Sequence, residues 1–151
     1  MFFHKKQRRL AVTIVEFAIV GSATFLILLG LLIGGLGMFR YQQVARLARD
    51  ASRWASVRGS QYALDTQKPA ATKTDVYNQA IVPNATGLDL TQLTYSVTWN
   101  PTNSQYHAGT VNGQQANIAN TVTVTITYNW IPEAILGGIT LSSTSVSVMS
   151  Y

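Results

Sequence analysis

Three patterns of apolar and polar residues follow one another along the chain. The first is an unbroken apolar run from Leu10 to Phe39, thirty residues in which Glu16 is the only charge. As an α-helix this run extends about 45 Å, against a hydrocarbon core of roughly 30 Å. A cleaved secretory signal carries only roughly 7–15 apolar residues, so the run predicts a retained transmembrane helix. The second pattern begins at "RYQQVARLARDASRWASVRG". Val44, Leu47, Ala48, Ala51, Trp54 and Ala55 recur at steps of three and four and form one apolar stripe. Arg46, Arg49 and Arg53 fall on another face. No proline interrupts Leu10 to Arg58, and Gly59 suits a helix stop. The reading is one helix over residues 12–58, membrane-embedded to about residue 39 and amphipathic after it, with its stripe packed on whatever follows.

The third pattern is alternation. "LTYSVTW" places Leu93, Tyr95, Val97 and Trp99 on one face, and "TVTVTITYNW" does the same with Val122, Val124, Ile126, Tyr128 and Trp130. "ITLSSTSVSVMSY" starts in phase at Ile139 and Leu141 and resumes out of phase at Val146 and Val148, which predicts a bulge within 142–145. The strands are expected to pair antiparallel, one face covering the helix stripe. Residues 59–73 read as a loop. "TDVYNQAIV" reads as a short helix capped by Thr74 or Asp75 and ended before Pro83. The link 100–120 reads as a long polar connection. The fold class is therefore α+β, with a head domain over 59–151.

Charge refines this picture. The net charge of +5 is concentrated around the apolar run: Lys5, Lys6, Arg8 and Arg9 precede it, and Arg40, Arg46, Arg49, Arg53 and Arg58 follow. From Gly59 onward two lysines face four acidic residues. The basic character belongs to the anchor and gives no indication of nucleic acid. Basic residues flank both ends of the run, and the compact cluster in the tail favours a cytoplasmic N-terminus.

Candidate chemistry is sparse. There is no cysteine, and two histidines do not make a metal site. No catalytic or nucleotide-binding motif is present, so no enzyme activity and no cofactor are expected. Asn84-Ala85-Thr86 reads as a chance glycosylation sequon. Gly30 and Gly34 form a GxxxG, either a helix-packing site or ordinary membrane glycine usage. Glu16 lies six residues into the run, about 9 Å along the axis, nearer one edge than the midplane. A carboxylate at the midplane costs roughly 2.5–3.5 kcal/mol on insertion scales. Two readings stand: a side chain reaching back to the headgroups, or a partner for a positive charge on another subunit.

Taken in order, "TIVEFAIV", "GMFRYQQVARLARDASRWASVRG" and "VTVTITYNWIPEAILGGITLSSTSVSVM" resemble the TadE-like minor pilins, or pseudopilins, of the tight-adherence type IV pilus system. The resemblance implies a pilin-like fold with a long N-terminal helix on a small β head. It implies a structural role in pilus assembly, with a basic leader over 1–11 removed on the cytoplasmic side by a prepilin peptidase. The cut would fall between Ala11 and Val12, leaving Glu16 fifth in the mature chain, with Glu16 and Phe17 as the recognition pair. Glu16 would then pair with the α-amino group of a neighbouring subunit. Implied partners are inner-membrane lipids, other pilins and pseudopilins, the peptidase and the assembly platform, with the head periplasmic or on an extracellular pilus. Two departures are visible: Ala11 stands where glycine is usual before the cut, and "VGSA" stands where a proline is frequent. The alternatives are an uncleaved single-pass protein with a β-rich binding head, and a pseudopilin of a secretion system.

Overall fold

The computed structural model describes residues 4–132 and 137–151, with side chains from Val12 onward. The expectations for the basic side chains of the tail, for the side chain of Ala11, and for 133–136 of the proline-containing link lie outside the described residues. The chain divides into two units, residues 1–38 and 39–151. One helix, α1 (His4–Ser56), belongs in part to each.

In the first unit α1 is continuous and its large apolar side chains are exposed; Phe17 is 77% accessible and Leu31 69%. The helix is long and apolar enough to cross a membrane. Within this helix two hydroxyls bond back to carbonyls one turn earlier. Ser22 Oγ donates to the carbonyl of Ala18 at 2.7 Å and Thr24 Oγ1 to that of Val20 at 2.8 Å.

The second unit holds the core. The stripe of α1 closes onto a three-stranded antiparallel sheet of order β1 (Leu93–Asn100), β4 (Thr121–Trp130), β5 (Ile139–Val148). Val44, Leu47, Ala48, Ala51 and Ala55 are buried against Leu93, Val97, Val122, Val124, Ile126 and Tyr128. Trp54, Tyr95, Trp99 and Trp130 pack at the margins, and the rings of Tyr77 and Tyr95 stack at 4.7 Å. The α+β, pilin-like architecture expected from the sequence is the one the chain adopts.

Several details depart from the expectations. The β4–β5 register runs without a break from Trp130↔Ile139 to Thr121↔Val148, so there is no bulge in β5. Val146 and Val148 are 60% and 59% exposed, while Ser145 and Ser147 turn inward. Serines fill that face because α1 comes close: its facing residues are Ala48, Ala51, Ser52 and Ala55. Ser52 Oγ lies 2.9 Å from Ser145 Oγ and accepts from Ser147 Oγ at 3.0 Å. The polar link 100–120 contains a second sheet, the hairpin β2 (Tyr106–Val111) and β3 (Gln114–Ala119). Its turn is Asn112-Gly113, with φ of 52° and 80°, the residue pair a two-residue hairpin turn demands.

Helix α1 ends at Ser56, and Gly59 does not stop it. The carbonyl of Ser56 instead accepts from the backbone N–H groups of Ser150 and Tyr151, at 3.0 and 3.3 Å. Gly59 has φ −85° and precedes a short helix, α2 (Ser60–Thr66), inside the expected loop. It is glycine for lack of room: a Cβ there would sit 2.6 Å from Met149 Cε and 2.8 Å from the Asn103 carbonyl.

The next helix, α3 (Lys73–Val76), is capped by Thr72, not by Thr74 or Asp75, and passes through a π turn at Tyr77–Ile81 into a 3₁₀ turn at Val82–Asn84. Asp75 completes a capping box: it accepts from Thr72 Oγ1 at 2.7 Å and Thr72 N at 2.9 Å, while its own N–H donates to Thr72 Oγ1. The Thr72 hydroxyl, then the Thr72 amide, hold the Asp75 carboxyl below its ordinary range. A carboxyl depressed in the folded state contributes stability above its unfolded value, and that contribution disappears as pH falls through the folded value. Asp75 should therefore titrate below about 3.9, the free value, in an NMR pH titration. Thr72→Val should return it toward that value; an unchanged midpoint would contradict the capping box.

Candidate membrane and assembly surfaces

Two surfaces carry the residues singled out by the sequence, one in each unit. On the first, Val12, Val15, Glu16 and Ile19 share a single face of α1, as the i, i+3, i+4, i+7 spacing requires. Phe17, beside Glu16 in the sequence, projects from another face and is also exposed. Glu16 is exposed, and among the described residues none forms an ion pair with its carboxylate. A lone carboxylate thus stands in an otherwise apolar patch. Such a group is stable in lipid only at the interface or opposite a positive charge.

Further along, a Cβ placed on Gly21, Gly30, Gly34 or Gly35 meets nothing within 4 Å. Gly30 and Gly34 therefore form an open notch one turn apart, where a second helix backbone can approach closely. Among the described residues nothing fills it.

The second unit sorts the five arginines that follow the apolar run. Arg40 Nη1 donates to the Gly87 carbonyl at 2.6 Å and to Gln43 Oε1 at 3.1 Å. This joins the start of the amphipathic segment to the loop before β1. Arg58 lies 4.3 Å over the ring of Trp54. Arg46 pairs with Asp50 at 3.5 Å on the helix surface, with 82% of its side chain exposed. Arg49 and Arg53 are exposed, and neither forms an ion pair among the described residues. The sequence sets Arg46, Arg49 and Arg53 on one face; the structure holds Arg40 on the Gly87 carbonyl and Arg58 over Trp54, pairs Arg46 with Asp50, and leaves Arg49 and Arg53 outward.

Asn120, which the sequence does not mark, organises the loops at the end of the sheet. It is fully buried. Its side-chain amide lies between 2.8 and 3.3 Å from the carbonyl and hydroxyl oxygens of Thr102 and Ser104. Its Oδ1 meets His107 Nδ1, which places His107 in a structural network. Among the described residues no group of three or more His, Asp or Glu is arranged to hold a metal.

Against known proteins, residues 11–53 match a family model described as TadE-like protein. No curated protein and no solved structure matches the chain. The family resemblance read from the sequence holds over the matched segment, which contains Ala11, Glu16, the glycine notch and the arginine face.

Proposed function

We propose that this chain, TadE-like over residues 11–53, is a structural subunit of a tight-adherence type IV pilus, a minor pilin or pseudopilin and not a catalyst. The leader 1–11 is removed between Ala11 and Val12 on the cytoplasmic side of the inner membrane, and the head stands on the periplasmic side. Its partners are the peptidase that reads Glu16 and Phe17, the other pilins, and the assembly platform.

The observation that carries this reading is the exposed Glu16 on the face Val12, Val15, Ile19. After cleavage, the α-amino group on Val12 of a neighbouring subunit supplies the missing positive charge. Opposite unit charges 4 Å apart attract by about 4 kcal/mol at an effective dielectric of 20, and desolvation offsets part of that. The pair therefore fixes the register between packed helices more than it adds stability. Gly30 and Gly34 let the backbones meet above it.

The test is Glu16→Ala in the native host. The variant should insert in the membrane at wild-type level and yet be lost from sheared pili and from complexes with other pilins. Normal co-assembly would refute the pairing. The glycine notch makes a weaker demand: Gly34→Leu should reduce co-assembly without changing the head's melting temperature.

A further inference from the structure

The end of α1 and the segments that follow it line a cleft of about 450 Å³, within the range of roughly 300–1,000 Å³ usual for small-ligand sites. Trp54 comes from the last turn of α1, Arg58 from the turn after it, and Tyr62 from α2. Lys68 comes from the loop 67–72, Asp75 from α3, and Gln79 from the π turn. Trp54, Arg58, Tyr62 and Asp75 are half-buried, and Lys68 and Gln79 are exposed. The walls are tied together. The Ala71 amide donates to the Arg58 carbonyl at 2.8 Å, Asn103 Nδ2 donates to the Ala71 carbonyl at 3.0 Å, and the Thr72 capping box sets Asp75. Single π turns recur at functional sites, and this one carries Gln79.

The polar groups of the cleft keep bonding capacity that the fold does not use. Thr72 engages Asp75 Oδ2, and Oδ1 accepts from no group among the described residues. Arg58 Nη1 makes one long bond, to the Trp54 carbonyl at 3.4 Å, and the stack on the Trp54 ring holds its guanidinium at the cleft wall. Among the described residues the Lys68 ammonium, the Gln79 amide and the Tyr62 hydroxyl make no hydrogen bond or ion pair. This set selects a ligand chemistry. Two cations against one carboxylate leave a single net positive charge, which suits one carboxylate per ligand unit. A phosphate monoester carries about −1.5 to −2 and is repelled by Asp75. Guanidinium, amide and carboxylate groups each bond two neighbouring polar atoms, as vicinal hydroxyls require. Trp54 and Tyr62 add flat apolar ring surface with a polar tip, which fits the C–H face of a sugar ring.

We propose that this cleft binds an acidic saccharide, a uronate unit whose carboxylate meets Arg58 and Lys68 while its hydroxyls meet Asp75 and Gln79. The head is then a reader of acidic polysaccharide. Binding depends neither on cleavage at Ala11 nor on the pairing of Glu16, so it stands or falls apart from the assembly role.

The test uses the purified full chain in detergent micelles and isothermal titration calorimetry. The probes are trigalacturonate, trimannuronate and a hyaluronan tetrasaccharide, each beside its neutral methyl ester. At least one acid should bind saturably at millimolar concentration or below, and its ester at least tenfold more weakly. Arg58→Gln combined with Lys68→Gln should weaken that binding at least tenfold at an unchanged melting temperature. If Arg58→Gln disturbs folding, Lys68→Glu and Gln79→Ala, both at exposed positions, serve instead, each with a loss of at least threefold. Failure of all three acids to bind overturns the proposal, as does binding that is unchanged in the folded variants. Competition by hexaglutamate or by inorganic phosphate as strong as by the saccharide overturns it in favour of an acidic peptide or a plain anion site.

Discussion

Asn120→Leu should lower the melting temperature of the head by about 10–15 °C. The position leaves no room for compromise. Asn120 is wholly buried between β3 and β4. Its amide serves oxygens of Thr102 and Ser104, its Oδ1 meets His107, its backbone N–H donates to Gln105 O at 2.9 Å, and its carbonyl accepts from Met149 N at 2.8 Å. Leucine shares the branching of asparagine and keeps the backbone bonds, and its bulkier methyl groups add overpacking to the loss of the side-chain network. Each buried polar group left without a partner costs roughly 1–3 kcal/mol. Two stranded carbonyls with the imidazole then cost about 3–4 kcal/mol, a large share of a typical domain stability of roughly 5–15 kcal/mol. At about 4 °C per kcal/mol for a domain of this size, the shift is large and simple to read by circular dichroism. A change of under 3 °C would mean that water or neighbouring donors replace the amide.

Ser52→Leu should destabilise the head by a similar amount for a different reason, and Ser52→Ala should not. Ser52 is fully buried where α1 approaches β5, with Ala48, Ala51 and Ala55 around it. Leucine adds bulk to a gap set by alanines and serines. Overpacking costs about 1–3 kcal/mol, and the hydroxyls of Ser145 and Ser147 lose their shared partner as well. Alanine leaves the spacing intact and forfeits only hydrogen bonding, about 0.5–1.5 kcal/mol. Thermal melts of the two variants therefore separate close helix–sheet approach from hydroxyl bonding. Equal melting temperatures would show that the approach is not close.

Both positions are buried polar residues, which local periodicity does not mark. The long helix, its stripe and strands β1 and β4 were legible because large apolar residues mark the buried face at periods of 3.6 and 2. In β5 the buried face is serine, so periodicity followed Val146 and Val148 to the exposed side and called for a bulge that the continuous register excludes. Small polar residues face inward there because α1 lies close, a tertiary fact that no local pattern encodes. The β2–β3 hairpin was different. Its signal, Asn112-Gly113, is present in the sequence, but the strands that flank it alternate weakly because they pair only with each other. The Thr72 cap likewise carried its signature in Asp75 three residues on. Among the site residues, the spacing gives the depth of Glu16 in the apolar run and puts Arg46, Arg49 and Arg53 on one face; that Glu16 shares its face with Val12, Val15 and Ile19 comes from the structure. The spacing does not supply the partners of Arg40 and Arg58, because Gly87 is remote in sequence and the Trp54 contact depends on side-chain direction.

The account turns on whether the chain is processed. The direct measurement is the N-terminal sequence of the protein extracted from membranes of cells that contain its own prepilin peptidase. The account predicts a chain beginning at Val12, with Glu16 fifth and a free α-amino group available to a neighbour. A chain that still begins at Met1 would contradict it, return Glu16 to an interfacial side chain, and leave a static single-pass anchor carrying a β-rich head.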